Sequence, residues 1–98
     1  MKEQVTVVLE TMQLFRVNAA HVLILIKLVH GARVNMSELA DAAKIGKPTA
    51  TVTVNSLIKM GLVNRERVPN DRRQVMLNLT TKGKALLARF LGRIEQEA

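Results

Sequence analysis

The chain has 98 residues, 48% of them hydrophobic, with a mean hydropathy of +0.11; this suits one small core, excludes a disordered tail and leaves no room for a two-domain enzyme. It contains no cysteine, which rules out disulfides, zinc fingers, thiol catalysis and iron–sulfur ligation. Fifteen Lys and Arg against eight Asp and Glu give a net charge of +7 and an isoelectric point near 10.6, the balance of a protein that meets polyanions.

In chain order, Val5, Val8, Leu9, Met12 and Phe15 recur at three- and four-residue spacing, which predicts an amphipathic helix over about 4–16. Residues 19 to 30 (AAHVLILIKLVH) are almost continuously apolar and too long for one strand, so a buried central helix is expected, stopped at Gly31 by a glycine cap. Asn35 with Glu38 three residues on is a capping-box pattern, and Leu39, Ala40 and Ala43 give a third, short helix ending near Lys44. Gly46-Lys47-Pro48 opens a fourth helix, since proline is tolerated in a first turn. Val54, Leu57 and Ile58 supply its buried face, and Gly61 ends it. The β-branched run from Thr49 to Val54 by itself favours a strand, so context decides that segment. Leu62 to Val68 and Gln74 to Leu79 alternate in polarity around the turn residues Pro69-Asn70-Asp71, which predicts a β-hairpin. After Thr80, a natural N-cap, Leu86, Leu87, Phe90, Leu91 and Ile94 mark a last helix over about 81–96. The expected fold is a single mainly α domain over residues 1–98, carrying one small hairpin.

Charge is concentrated in one part of this order. Residues 44–93 hold eleven bases and only Glu66 and Asp71 as acids, a net +9, whereas the remainder holds four bases and six acids, a net −2. Catalysis finds little to use: His21 and His30 lie nine residues apart on one helix, Ser37 and Ser56 fall on predicted helices, and no metal-ligand spacing occurs. A phosphate-binding reading of Gly46-Lys47-Pro48-Thr49 fails, because Asp41 stands where the first glycine belongs and Pro48 where a hydroxyl belongs. No enzyme activity, cofactor or metal is therefore expected. The longest apolar run is far shorter than the ~20 residues that span a bilayer, and no leader pattern is visible, so a cytoplasmic protein without a membrane partner is expected.

Two short helices joined by a tight turn and followed by a basic hairpin form the pattern that admits a helix to the major groove of DNA. Lys47, Pro48, Thr49, Thr51, Val52, Asn55 and Lys59 lie on the part of the fourth helix not claimed by its apolar face. Arg65, Arg67, Arg72 and Arg73 surround the hairpin tip, where a guanidinium suits a narrow, electronegative minor groove. Asp71 beside them is placed to hold one arginine in a fixed rotamer. On the terminal helices, Val5, Val8, Leu9 and Met12, with Leu87, Phe90, Leu91 and Ile94, form two apolar stripes that exceed what a core this small needs, so a dimer seam is expected there.

Three stretches carry a resemblance to a known family: Ser37-Glu38-Leu39-Ala40; Leu57 to Arg65 (LIKMGLVNR); and Asp71 to Gly83 (DRRQVMLNLTTKG). Over about residues 19 to 91 the chain resembles the MarR family of bacterial winged-helix transcription regulators. The resemblance implies a winged helix-turn-helix flanked by dimerisation helices, with Lys47 to Asn55 as the recognition helix in the major groove. It further implies Arg73 in the minor groove, oriented by Asp71, and Arg72 near phosphate. The chain departs from the family where Val52 replaces a frequent arginine and where Asn55 and Ser56 replace a usual Asp and Arg. Typical members also have further C-terminal helical sequence and a ligand cavity near the junction of dimer and DNA-binding parts, so a small-molecule effector stays open. The implied function is a sequence-specific double-stranded DNA-binding regulator, a repressor acting as a homodimer. The alternative is a winged-helix protein-interaction module of a transcription or replication assembly.

Overall fold

In the computed structural model the backbone is described for residues 2–29, 33–67 and 74–97, and side chains for 3–29, 33–66 and 74–90. The order is α1 (Lys2–Leu14), α2 (Ala19–Val29), β1 (Arg33–Asn35), α3 (Met36–Ala43), α4 (Lys47–Lys59), β2 (Val63–Arg67), β3 (Gln74–Leu79) and α5 (Thr81–Glu97). All five expected helices and the hairpin are present; α1 lies two residues earlier than its periodicity placed it. The expected order lacked β1. This three-residue strand pairs antiparallel with β3, Val34 opposite Val75, and turns the hairpin into a sheet of order β1-β3-β2. Only Val34 of the three is buried, too little patterning to announce a strand from sequence. The glycine cap at Gly31 and the hairpin turn Pro69-Asn70-Asp71 lie outside the described residues.

Helix ends are set by local chemistry. Asn35 caps α3, its Oδ1 accepting the Glu38 N–H at 2.8 Å, which satisfies one of the donors that a helix start leaves unpaired. Three helices finish in the same Schellman motif. At the end of α1 the N–H of Arg16 donates to Gln13 O and that of Val17 to Met12 O; Lys44 and Ile45 repeat the pattern on Asp41 and Ala40, and Gly61 and Leu62 repeat it on Ile58 and Leu57. The left-handed residue is glycine only at Gly61, with φ 74°; Arg16 and Lys44 adopt φ 57° and 58° with a side chain attached. After each motif a buried or half-buried apolar residue, Val17, Ile45 or Leu62, turns back onto the core.

The core is built on α2, whose Ile24, Leu25 and Leu28 meet Leu39 of α3, Val54 and Leu57 of α4, Leu77 of β3, and Leu86 and Leu87 of α5. Burying each such side chain is worth ~1.5–3 kcal/mol, so this cluster holds α3 and α4 against the central helix. Leu87 and Phe90, expected at a seam between chains, are each 3% exposed inside the chain's own core. The periodicity of α5 was read as surplus because a helix that packs on α1, α2 and β3 together needs a wider apolar face than a helix packed on one neighbour. Val8 and Met12 are half-buried against the same core, and Arg89 lies over the Phe15 ring at 5.2 Å, joining α5 to the α1 end. Val5 and Leu9 remain outward, 55% and 56% exposed. The side chains of Leu91 and Ile94 lie outside the described residues.

Candidate nucleic-acid interface

Helix α4 sits at the exposed end of a helix-turn-helix. Ala50, Thr53, Val54 and Leu57 point into the protein, while Lys47, Pro48, Thr49, Thr51, Val52, Asn55 and Lys59 are all exposed. The structure thus gathers the seven expected residues of this helix onto one outward surface. Val52 is 68% exposed, unusual for a branched aliphatic residue in mid-helix. The threonines that weaken helix propensity are accommodated by bonding back to the preceding turn: Thr53 Oγ1 donates to Thr49 O at 2.8 Å and Thr51 Oγ1 to Lys47 O at 3.2 Å. The helix has no acidic residue, and its first residue is Lys47, so the surface combines positive charge, methyl groups and the amide of Asn55.

The strand that follows α4 adds one described base. Arg65 is exposed on β2, paired across the ladder with Leu77. Asp71, Arg72 and Arg73, and the side chain of Arg67, lie outside the described residues, so the expected arrangement of the hairpin tip is carried by the sequence alone.

What fixes the far end of α4 was not read from the sequence. The α5 start docks on the turn that ends α4: Lys82 Nζ donates to Met60 O at 3.0 Å, Thr80 Oγ1 to Gly61 O at 2.6 Å, and the Thr80 N–H to Leu62 O at 3.0 Å. Thr80 Oγ1 in turn accepts the Gly83 N–H at 3.0 Å, making Thr80 the expected N-cap. A lysine at the C-terminal end of α4 also meets the negative end of the helix dipole. The Leu-Thr-x-x-Gly run was visible as a motif, but its Lys82 gave no signal of a partner 22 residues away.

His21 is buried at the start of α2. Asn18 Oδ1 accepts the His21 N–H at 3.0 Å, and His21 Nδ1 accepts the Asn18 N–H at 2.9 Å, a reciprocal cap with histidine where Glu or Gln is usual. The other ring nitrogen, Nε2, lies 3.2 Å from Ser56 Oγ on α4. Burial pushes the imidazole pKa below its usual 6.5, because a buried ring resists charge. Between the folded-state value and 6.5 the unfolded chain binds the proton and the folded chain does not, so stability falls as pH drops through that window. Urea denaturation at pH 8 and pH 5.5 should show a lower midpoint at pH 5.5, and His21→Gln should flatten the difference; an unchanged difference in the variant would assign the step elsewhere. Among the described residues no group of three or more His, Asp or Glu comes together as a metal site, and no single helix is long and apolar enough to cross a membrane.

A three-helix unit whose last two helices form a helix-turn-helix, followed by a β-hairpin pinned to the sheet, defines a winged helix-turn-helix. The family model described as "MarR family" matches residues 17–75, and the chain belongs to that family of transcription regulators. Among curated proteins, the HTH-type transcriptional repressor YetL of Bacillus subtilis (strain 168) is 37% identical over 59 residues, 60% of this chain and 35% of that protein. The matched part therefore spans about a third of that relative. Among solved structures, the transcriptional repressor CouR bound to a 23-mer DNA duplex superposes with a TM-score of 0.77 at 29% identity, over 95% of this chain and 66% of CouR. NadR in complex with 4-hydroxyphenylacetate superposes with a TM-score of 0.79 at 25% identity, over 98% of this chain and 68% of NadR.

Proposed function

We propose that the protein is a sequence-specific double-stranded DNA-binding transcription repressor that acts in the cytoplasm as a homodimer, α4 entering the major groove and the hairpin the minor groove. The observation that carries this reading is the outward surface of α4, where Lys47, Thr49, Thr51, Val52, Asn55 and Lys59 are exposed together and no acid intervenes. Asn55 has the donor–acceptor pair that fits adenine N6 and N7, and the methyls of Val52 and Thr51 suit thymine C5-methyl groups. An aliphatic side chain left in water in mid-helix has a use in such a contact and none in the fold. Lys47, Lys59 and Arg65 flank this surface and suit phosphate oxygens. The sequence resemblance assigns Arg73 the minor-groove role and Asp71 the orienting one. Family membership and the likeness to a repressor solved on DNA support the same reading.

Binding through such a surface releases counterions, so affinity depends steeply on salt. With ~6 phosphate contacts per dimer, log K against log salt should have a slope near −5. Fluorescence anisotropy with a labelled duplex from 50 to 300 mM salt measures it. A flat response would remove DNA from the reading.

A further inference from the structure

Ser56 is half-buried at the edge of the outward surface of α4, and its hydroxyl meets His21 of α2. The direction of each hydrogen bond around it is determined. Because the Asn18 N–H donates to His21 Nδ1, that nitrogen holds a lone pair, and the neutral ring carries its proton on Nε2. Nε2–H therefore donates to Ser56 Oγ, and the Ser56 hydroxyl is left to donate to Met60 Sδ, 3.7 Å away. One directed chain runs from the α1–α2 corner, through the buried imidazole, to the residue that caps the end of α4. Asn18, His21, Ser56 and Met60 are all accounted for, and no buried side-chain polar atom among the described residues lacks a partner.

This chain of bonds is a side-chain polar link between α2 and α4, beside the apolar cluster to which Ile24, Leu25 and Leu28 of α2 and Val54 and Leu57 of α4 belong. Apolar contact resists separation but only weakly resists rotation or sliding of one helix on another, whereas a directed bond selects one register. Asn55 precedes Ser56, so a rotation of α4 that strains the Ser56 bond re-aims Asn55 and, one turn earlier, Thr51 and Val52. We propose that His21 is a positioning residue for the recognition helix: acting through Ser56, it sets the rotation of α4 and thereby the discrimination among DNA sequences. The proposal rests on the DNA-binding reading above.

The test compares wild type with Ser56→Ala, Ser56→Thr and His21→Gln on two probes: a duplex enriched by the wild-type protein from a random pool, and the unselected random pool itself. Glutamine at position 21 keeps a capping-box acceptor for Asn18 while giving up the bond to Ser56. One hydrogen bond of ordinary strength corresponds to a three- to ten-fold effect. Ser56→Ala and His21→Gln should lose about that factor on the enriched duplex and stay within about two-fold of wild type on the random pool, while Ser56→Thr restores wild-type discrimination. Ring-nitrogen NMR of the free protein should show the Nε2–H tautomer of His21, with an Nε2 signal that moves in Ser56→Ala and returns in Ser56→Thr. Equal discrimination in wild type and Ser56→Ala would overturn the positioning role, as would the Nδ1–H tautomer. Failure of the wild-type protein to enrich or bind any duplex would instead overturn the DNA-binding reading, and the positioning role with it.

Discussion

Replacing Val5 and Leu9 by glutamate is expected to give a folded monomer whose affinity for a full palindromic site falls by a factor of 100 or more. The two side chains lie one turn apart on α1 and are 55% and 56% exposed, outside the core that Val8 and Met12 help to close. Charging them leaves the interior of one chain untouched. If they meet a second copy, their burial supplies ~1.5–3 kcal/mol each, and a buried unpaired carboxylate adds a larger penalty. Without the seam the two recognition helices are no longer held ~34 Å apart, and each binds as a single half-site reader. Leu9 with Val5 is a better choice than the α5 residues Leu87 and Phe90, whose truncation would damage the core itself. Light scattering, circular dichroism and anisotropy on a selected duplex decide the matter. A variant that stays dimeric, or a monomeric one that binds the palindrome like wild type, would contradict the proposed seam.

Gly83→Ala should destabilise the protein by about 1–3 kcal/mol, with a fall in Tm of roughly 4–8 °C for each kcal/mol. Intrinsic propensity predicts the opposite sign, since alanine is favoured over glycine within a helix by ~1 kcal/mol. The difference is steric: a Cβ on Gly83 would lie 2.1 Å from Leu62 O and 3.0 Å from the Leu62 carbonyl carbon. That carbonyl already accepts the Thr80 N–H, and its residue is buried between the end of α4 and β2, so it cannot move without opening the junction that also holds Lys82 on Met60. Thermal denaturation followed by circular dichroism reads the effect. A Tm equal to or above wild type would show that the α4–β2–α5 junction yields where it is described as rigid.

The parts of the fold that were legible in the sequence are those written in local patterns. Asn35 and Glu38 announced the start of α3, Thr80 that of α5, Gly61 the end of α4, and the alternation on both sides of Pro69-Asn70-Asp71 announced the paired strands. The α4 segment shows how far propensity reaches: its threonines and valines favour a strand taken alone, and the flanking Pro48 and Gly61 together with Val54 and Leu57 placed it as a helix. What escaped notice was non-local or unusual in residue type. β1 has one buried side chain and exists because β3 offers it an edge. The Asn18–His21 cap was missed because histidine rarely fills that role, and the reach of Lys82 to Met60 depends on a docking that no spacing within α5 records. Leu87 and Phe90 were assigned to a partner chain because helical periodicity tells which face is apolar but not how many neighbours cover it.

The exposed residues of α4 were legible one by one in the sequence, but the inward turn of Ala50 and Thr53 and the half-burial of Ser56 were not, because small and hydroxyl-bearing side chains carry no apolar periodicity. The central claim is that the outward surface of α4 reads bases, and enrichment of duplexes from a random pool, repeated with Asn55→Ala, tests it most directly. The account predicts that wild type enriches an inverted repeat with half-site centres about 10 base pairs, or a multiple of that, apart. It predicts further that Asn55→Ala loses preference at one A·T pair in each half-site while the rest of the motif persists, a change worth ~1–3 kcal/mol at that pair. Enrichment of no sequence by the wild-type protein, or an identical motif from Asn55→Ala, would contradict it.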